Sequence, residues 1–422
     1  TSEKLSATIS LSKGISEVSL KVDEKIFNGT KIDREGKHWQ FICEKLKSNR
    51  TYSLSLVSKE EILEPDWPLK TLPNEHQEVN NLKIMAFTCA GGGDGTSFGG
   101  KELLEYLIVS IKKRGLLNKT VFFFDIRLNT EENLLFKDCF FYKIKPRVSS
   151  RISAYKNYSK NFKTVVCLSN IPPPYKILNK KVFIYFHNLL LTQNFSNGLY
   201  NLILNRLKKI YIKKKNSSNY DWIVQTNYMK DQVAMSFSIK KNKIKVYPFF
   251  DIEKIKLSNK NFKSSTLNFL YVTSKLKHKN LKKLISAFKL SQFNSKKIIN
   301  LYITIKGEDI SYEKKNIKYI GKIEKKELLM FYKKSHYLIY PSYAESLGLP
   351  VLEAIKSGCN VILSNIPTFK EICNPSLFFD PKSEHSISKS MIRAVNNDYI
   401  KRSNIVVKNK IDNFIELMFK NV

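Results

Sequence analysis

The spacing of apolar residues changes once along this chain, near residue 82. Before that point, short runs such as residues 7–11 and 52–56 alternate apolar and polar positions between Gly, Asn and Asp turns, which predicts antiparallel strands. After it, short apolar runs alternate with longer segments in which apolar residues recur every three or four positions. That second pattern predicts parallel strands joined by helices. The chain is therefore expected to hold a small all-β segment followed by α/β domains.

These patterns divide the chain into segments of different predicted structure. Residues 66–81 are rich in proline and polar residues and are expected to form a linker. A run at 245–250 closes the first α/β region, and a second alternation of strands and helices begins after it. The predicted segments are a small β-sandwich-like segment at 1–65, a linker at 66–81, Rossmann-like domains at 82–250 and 251–400, and a C-terminal segment at 401–422.

Candidate chemistry concentrates in residues 341–354, which read PSYAESLGLPVLEA. Glu345 is expected in a loop just before a helix N-terminus, and Glu353 a little over one turn inside that helix, with Gly348 between them. The free N–H groups and positive dipole end of such a helix suit phosphate, and carboxylates accept hydrogen bonds from sugar hydroxyls. A nucleotide sugar presents both groups. The alternative is that the two glutamates are a helix cap and a solvated helix residue.

Three other candidate positions follow predicted strands. The glycine-rich loop at 91–100 stands between a strand-like and a helix-like run, an arrangement that brings backbone N–H groups to phosphate. A glycine run alone is also typical of a flexible connection. His187 follows the run at 182–186, where a lone histidine can be structural or can bind a ligand. Lys279 lies in the turn after the run at 267–272, where it is either a phosphate ligand or a solvated lysine.

The stretch at 341–354 resembles the donor-binding signature of the retaining GT-B glycosyltransferases, in their group 1 (family 4) class. That signature is Pro-Ser, two residues, Glu, any residue, an aromatic residue or Leu, Gly, and a second Glu eight positions after the first. Leu347 stands where the family most often has Phe. The runs that follow, at 358–365, 366–371 and 378–381, are also similar to the family in order, and the resemblance covers about residues 82–400.

The resemblance implies a fold, a reaction and a set of partners. The fold would be GT-B, with two facing Rossmann-like domains and a C-terminal helix within 401–422 that crosses back to the first. The reaction would move a sugar from a nucleotide-diphosphate sugar to an acceptor hydroxyl with retention, without a metal or a further cofactor. The acceptor would be a glycan or a lipid-linked saccharide of a bacterial cell-surface polysaccharide. The alternative is a catalytically degenerate GT-B scaffold that binds a glycan or nucleotide.

The same resemblance implies roles for particular residues. His187 and Glu345 would lie closest to the reaction, with Glu345 holding donor-sugar hydroxyls, and Glu353 would hold the ribose. Ser274 stands where the family usually has the arginine of a basic pair, so Lys279 would meet the diphosphate with half of that pair missing. The full set expected to bind the donor is Gly99, Gly100, Ser274, Lys279, Gly348, Leu349 and Glu353.

The net charge of +35 arises from 72 basic and 37 acidic residues, and only nine of the basic residues are arginine. Lysine is the weaker residue for bidentate recognition of bases and phosphates. We therefore do not expect nucleic acid as a partner, although charge alone would permit it. An anionic membrane surface is the favoured alternative, because it attracts basic residues without fixed geometry.

One segment could make that membrane contact. Residues 199–215 combine one helical stripe of apolar side chains with six basic residues and no acidic one. This composition fits an interfacial helix, and equally a surface helix that packs on its own domain. No run approaches the length of a membrane span, and the six scattered cysteines are expected to be reduced thiols. The expected location is the cytoplasm, with attachment to the inner face of the membrane left open, as is targeting upstream of Thr1.

Overall fold

The structure of the protein is a computed structural model in which the contacts divide the chain into two units, Thr1–Lys83 and Ile84–Val422. The residues that it describes are 3–10, 19–22, 25–31, 38–46, 51–58, 61–70, 84–87, 98–128, 134–145, 147–158, 162–177, 179–193, 199–306, 316–396 and 400–420.

The first unit contains six antiparallel strands in the spatial order β1-β4-β3-β2-β5-β6. Strand β3 pairs with β2 through residues 25–28 and with β4 through residues 29–31, so it connects the two halves of the series. All described elements of this unit are strands, as the alternating pattern predicts. Their bounds are β1 Glu3–Ser10, β2 Ser19–Val22, β3 Lys25–Lys31, β4 His38–Leu46, β5 Thr51–Ser58 and β6 Glu61–Lys70.

The predicted linker was wrong for its first residues, because strand β6 continues to Lys70. Pro65 and Pro68 lie inside this strand. Proline removes a backbone donor, but β6 is the last strand of the series, and an edge strand tolerates that loss. The pairing of β5 with β6 is also irregular between Leu54 and Val57, opposite this region. The remaining residues of the predicted linker, 71–81, lie outside the described part of the chain.

The second unit begins with a seven-stranded parallel sheet in the order β13-β12-β11-β10-β7-β8-β9. Its central strands are apolar on both faces because helices cover both sides. The strands are β7 Ile84–Phe87, β8 Thr120–Asp125, β9 Phe140–Ile144, β10 Thr164–Cys167, β11 Lys181–Tyr185, β12 Tyr220–Val224 and β13 Ile244–Val246. The helices are α1 Phe98–Lys113, α2 Leu134–Lys137, α3 Val148–Tyr158, α4 Leu199–Lys215 and α5 Asn227–Phe237.

A second parallel sheet follows in the same unit, in the order β16-β15-β14-β17-β18-β20. Its strands are β14 Thr266–Tyr271, β15 Ile298–Ile303, β16 Ile317–Tyr319, β17 Tyr337–Tyr340, β18 Asn360–Ser364 and β20 Leu377–Phe379, and β19 Cys373–Asn374 pairs apart from it with β21 Asn404–Ile405. The helices are α6 Leu281–Phe293, α7 Lys325–Lys334, α8 Leu349–Lys356, α9 Pro367–Ile372, α10 Glu384–Asn396 and α11 Ile411–Phe419.

Helix α11 belongs to the core of the first sheet although it ends the chain. Phe414 is fully buried and stacks on Phe249, with ring centroids 5.6 Å apart and an interplanar angle of 13°. Arg114 at the end of α1 forms an ion pair with Asp412 at 2.6 Å. The helix therefore ties the C-terminal residues to the first α/β domain. The described cysteines of this unit, Cys139, Cys167, Cys359 and Cys373, are buried and form no disulfide with one another.

Candidate functional site

The site is built where strands β14 and β17 of the second sheet end side by side. Strand β14 leads from Tyr271 into the turn that carries Lys279, and β17 leads from Tyr340 into the loop that carries Glu345. The carboxyl ends of neighbouring parallel strands are where α/β sheets bind ligands. The two segments that the sequence singled out separately are thus brought together by the pairing of β14 with β17.

Lys279 and Glu345 form a nearly buried ion pair at this edge. Lys279 Nζ lies 2.5 Å from Glu345 Oε1, and the two side chains are 14% and 11% exposed. Lys279 Nζ also donates to the Tyr340 hydroxyl at 3.1 Å and lies over the Tyr340 ring. Burial alone would lower the pKa of Lys279, but Glu345 and the neighbouring tyrosine hydroxyls raise it above its usual value. Lys279 is therefore a fixed positive charge at neutral pH.

The turn that carries Lys279 is held by its neighbours. Asn280 adopts a left-handed conformation, with φ of 59°, and its side-chain amide donates to the carbonyls of Pro341 at 3.1 Å and Pro381 at 2.7 Å. The Tyr271 hydroxyl donates to the Lys279 carbonyl. These bonds fix the Lys279 backbone to the Glu345 loop, so the ion pair does not depend on a mobile side chain alone.

Gly348 provides the backbone conformation that begins helix α8. Its φ is 70°, in the left-handed region, and a Cβ there would lie 3.1 Å from Phe369 Cε1. Both facts favour glycine at this position. No side chain caps the N-terminus of α8, where Leu349 is the first residue and Pro350 the second. Pro350 has no N–H, and the Val351 N–H donates to the Gly348 carbonyl at 2.8 Å. The helix end therefore offers an anion mainly the positive end of the dipole and the Leu349 N–H.

Glu353 is buried inside α8, with a side chain only 4% exposed. Its Oε1 accepts from Lys325 Nζ and its Oε2 accepts from the Tyr332 hydroxyl at 2.9 Å. Lys325 Nζ also donates to Glu102 Oε1 at 3.0 Å. Glu102 lies on α1 of the first domain, so one lysine joins the two domains through two carboxylates. Lys325 is the first residue of α7, which a capping box of Glu324 and Glu327 begins.

His187 follows strand β11 of the first sheet and is oriented by Asn170. The Asn170 Oδ1 accepts the His187 backbone N–H at 2.6 Å, which fixes the amide so that its Nδ2 faces His187 Nε2 at 3.3 Å. Because Nδ2 can only donate, Nε2 must accept, and the proton of the neutral ring lies on Nδ1. Burial lowers the pKa of His187 to about 4, so the ring is neutral at pH 7.

Several buried polar atoms near these strand ends have no hydrogen-bond partner among the described residues. They are Ser169 Oγ after β10, His187 Nδ1 after β11 and Gln225 Oε1 after β12. Buried polar atoms are normally paired, and a cluster without partners at one edge of a sheet is typical of a ligand site. The neighbouring order of β10, β11 and β12 places all three residues at the same edge.

Contacts join the two halves of the site. The Thr368 hydroxyl on α9 donates to the Glu345 carbonyl at 2.7 Å. Three residues further on, Glu371 accepts the backbone N–H of Asn227 at 2.7 Å and of Tyr228 at 2.6 Å, at the N-terminus of α5. A carboxylate there is stabilised by the helix dipole. The Glu345 loop and the edge of the first sheet are thus connected through one short helix.

The other predicted residues lie at different distances from this network. Gly99 and Gly100 are in the first turn of α1, three and two residues before Glu102. The preceding loop, which includes Gly91–Gly93, lies outside the described residues. Ser274 is exposed, and its carbonyl accepts from the Thr273 hydroxyl at 3.2 Å. Its proposed place in a basic pair stays a prediction.

Five residues of the site were missed from the sequence: Asn170, Asn280, Lys325, Tyr340 and Glu371. Tyr340 and Asn280 adjoin the quoted motifs, and their positions at a strand end and next to Lys279 were usable signals. Nothing local marks Lys325 among so many lysines. In the described part of the chain, no group of three or more His, Cys, Asp or Glu side chains could hold a metal ion. No helix there is long and apolar enough to cross a membrane.

Two α/β domains, each built on a parallel sheet, are the arrangement of the GT-B fold. Similar solved structures include the lipopolysaccharide outer core galactosyltransferase WaaB in its apo form, with a TM-score of 0.56 at 14% identity over 81% of this chain and 100% of that one. Another is Anabaena Alr3699/HepE in complex with UDP-glucose, with a TM-score of 0.53 at 12% identity over 80% and 95% of the chains.

Sequence comparison finds a family match in the second α/β domain. Residues 253–412, which include the motif at 341–354, match the family described as Glycosyl transferases group 1. The O-antigen chain mannosyltransferase RfbU of Salmonella typhimurium is 26% identical over 226 residues. That alignment covers 50% of this chain and 63% of the relative, so the chain spans less than two thirds of the relative's length.

The Asn170 contact predicts the state of the His187 ring. In Asn170→Asp, a carboxylate would face Nε2, so the ring should move its proton there and its pKa should rise by about one pH unit or more. Nitrogen-15 NMR of the histidine rings measures both the tautomer and the pKa. His278, which is buried with a pKa lowered to about 4 and does not contact Asn170, is the internal control. A wild-type ring protonated on Nε2 would contradict this assignment.

Proposed function

We propose that this protein is a retaining glycosyltransferase that moves a sugar from a nucleoside diphosphate sugar to an acceptor hydroxyl. The Lys279–Glu345 pair beside the uncapped N-terminus of α8 is the observation that carries the proposal. An anion binds at the helix end and the lysine, while polyol hydroxyls bind at the carboxylates. The nucleoside diphosphate sugar is the class of ligand that presents an anion between two polyols. The Anabaena protein of the same fold is described with UDP-glucose bound.

Donor binding exchanges partners that already exist in the ligand-free site. The diphosphate takes the Lys279 ammonium, and Glu345 is released to accept hydroxyl groups of the sugar. Glu353 takes the ribose hydroxyls when Lys325 moves away from its Oε1. Each charge that leaves a protein partner gains a ligand partner, so neither buried carboxylate is left unpaired.

The transfer itself needs positioning and charge stabilisation. The acceptor oxygen bonds to the anomeric carbon as the bond from that carbon to the phosphate oxygen breaks. The acceptor proton passes to the leaving phosphate on the same face, which keeps the configuration. Lys279 and the end of α8 stabilise the developing diphosphate charge. The neutral His187 ring donates from Nδ1 to an oxygen of the sugar or the leaving phosphate.

The acceptor that we propose is a growing glycan or a lipid-linked saccharide. The similarity to an O-antigen chain mannosyltransferase supports this class of acceptor. The unpartnered polar atoms of Ser169, His187 and Gln225 give the first domain hydrogen-bonding groups for a saccharide. They lie at the edge of the sheet that faces the reacting end of the donor in this proposal.

Helix α4 supports an approach to a membrane surface. Ile203, Leu207 and Ile210 are 49%, 57% and 60% exposed and lie on one face, at intervals of four and three residues. Exposed basic side chains flank them, namely Arg206, Lys208, Lys213 and Lys214. The apolar stripe predicted from the sequence thus points partly to solvent, which is the geometry of an interfacial helix. Lys209 Nζ donates to the Thr192 carbonyl at 3.4 Å, which anchors α4 to the loop that follows His187.

The donor proposal predicts different roles for Lys279 and Glu353. Lys279→Ala should weaken a bound nucleoside diphosphate by about 10- to 100-fold and the free nucleoside hardly at all, because only the first carries the diphosphate. A thermal-shift screen first identifies a nucleoside diphosphate that binds. Isothermal titration calorimetry then measures the affinity of each variant for that nucleoside diphosphate and for its nucleoside. Since Lys279→Ala leaves Glu345 unpaired, Lys279→Met/Glu345→Gln should be measured beside it.

Glu353→Gln is the matched contrast for that measurement. This substitution should weaken the binding of the nucleoside and of the nucleoside diphosphate by the same factor, because both contain the ribose. Equal losses for both ligands in Lys279→Ala would show that Lys279 does not meet phosphate. A folded Glu353→Gln variant with unchanged affinity for both ligands would remove Glu353 from the site.

The α4 proposal predicts binding to anionic vesicles. Lys208→Gln/Lys213→Gln/Lys214→Gln should weaken sedimentation with phosphatidylglycerol vesicles by about tenfold or more, since each basic residue near the surface contributes roughly 1 kcal/mol. Ile203→Ser/Ile210→Ser should weaken it while keeping the charge. Lys254→Gln/Lys256→Gln/Lys282→Gln removes three exposed charges elsewhere and should change little. If this control loses as much vesicle binding as the α4 lysine variant, binding depends on the net charge of the protein and not on α4.

A further inference from the structure

A cavity of about 450 Å³ lies in the first α/β domain at the edge of the sheet opposite to His187. It is bordered by Thr164, the first residue of β10, by Lys181, the first residue of β11, and by Ser217–Asn219 just before β12. Because these strands are parallel, their amino ends lie together at the edge away from the proposed reaction. The cavity is therefore separate from the donor site.

The lining of this cavity carries positive charge only. Five of its lining residues are lysines, and none is acidic. Among the described residues, none of these five ammonium groups has an ion-pair partner. Lysines on several sides of one cavity, with no acidic residue among them, give the cavity a positive potential that attracts an anion. The five are Lys163, Lys176, Lys180, Lys181 and Lys420.

Ser217 distinguishes this cavity from a chance group of surface lysines. It is one of the residues that line the cavity and is only 9% exposed, and its hydroxyl has no hydrogen-bond partner in the described structure. A buried hydroxyl without a partner is costly unless a ligand supplies one. The hydroxyl can donate to an anion, and the surrounding lysines would hold the charge of that anion.

The frame around the lysines is fixed by hydrogen bonds. The Asn219 amide donates to the carbonyls of Ile177 at 3.0 Å and Lys180 at 3.4 Å. The Tyr220 hydroxyl accepts the Ile177 backbone N–H at 3.1 Å. The loop that carries Lys176 and Lys180 is thus attached to the start of β12, next to Ser217. The backbone that carries Lys180 is therefore held in place by Asn219.

We propose that this cavity, the lysine pocket, binds a phosphate-bearing anion through its lysine ammonium groups and the Ser217 hydroxyl. Its volume is in the range of small-molecule sites. Lysine is a point charge that meets phosphate without a required orientation, which suits a site built from five of them. The phosphate belongs either to a soluble phosphate ester or to a lipid headgroup.

Titration with inorganic pyrophosphate tests the pocket, in a Lys279→Met/Glu345→Gln background that removes the lysine of the donor site without leaving its carboxylate partner unpaired. Ser217→Ala keeps every charge and should weaken pyrophosphate about tenfold, since it removes a hydrogen bond to a charged group. The ligand-free unfolding temperature should stay the same or rise, because no existing bond is lost. Lys180→Gln/Lys181→Gln should weaken binding at least as much. Lys254→Gln/Lys256→Gln, exposed on other segments, is the charge-matched control.

The proposal is overturned if Ser217→Ala binds pyrophosphate as tightly as its parent, or if the control loses as much affinity as the pocket variant. A second experiment distinguishes a lipid headgroup from a soluble phosphate ester. It measures binding of the protein to phosphatidylcholine vesicles that contain or lack phosphatidic acid. Binding to phosphatidic acid that Ser217→Ala weakens assigns a lipid headgroup. Weakening seen with pyrophosphate alone assigns a soluble ligand. Since Ser217→Ala leaves α4 unchanged, it separates the pocket from general membrane attraction.

Discussion

A buried pair of opposite charges at the edge of the second sheet is the constraint on which the site depends. Lys279 and Glu345 are each more than four-fifths buried, and removing one partner of such a pair costs about 3–5 kcal/mol. Each group must therefore have a partner whether or not a ligand is present. The parallel pairing of β14 with β17, the left-handed Asn280 and the Tyr340 hydroxyl all serve to keep the pair together.

Glu353 is also a buried carboxylate that needs a partner, and its partner connects the two domains. Its partner Lys325 also contacts Glu102 of the first domain, so the pairing of this buried carboxylate is coupled to the arrangement of the two domains. A ligand that takes Glu353 frees Lys325 to pair with Glu102 alone. Glu371 at the N-terminus of α5 provides a second contact between the domains, close in sequence to Thr368, which holds the Glu345 loop. If the donor binds as proposed, these charges link donor binding to the position of the domains.

The local part of this structure could be predicted from the sequence, and the long-range part could not. Gly348, the start of α8 and the spacing of Glu345 and Glu353 depend on residues within a few positions of one another, and the bounds of α4 follow from one helical stripe. Lys325 meets Glu102 across 223 positions, and Glu371 meets Asn227 across 144. No spacing reveals such partners. The prediction that the linker begins at residue 66 was wrong for the same reason. Prolines favour a linker there, and only long-range strand pairing shows that β6 lies at an edge, where prolines are tolerated.

The most direct test of the account is real-time proton NMR of a nucleoside diphosphate sugar panel with the folded protein. The anomeric proton reports both consumption of the donor and the configuration of the first sugar product, whether the sugar passes to water or to an added saccharide. The account predicts that a donor is consumed and that the first product has the same anomeric configuration as that donor. A first product of opposite configuration, or a protein that binds a donor through Glu345 without ever consuming one, would contradict it.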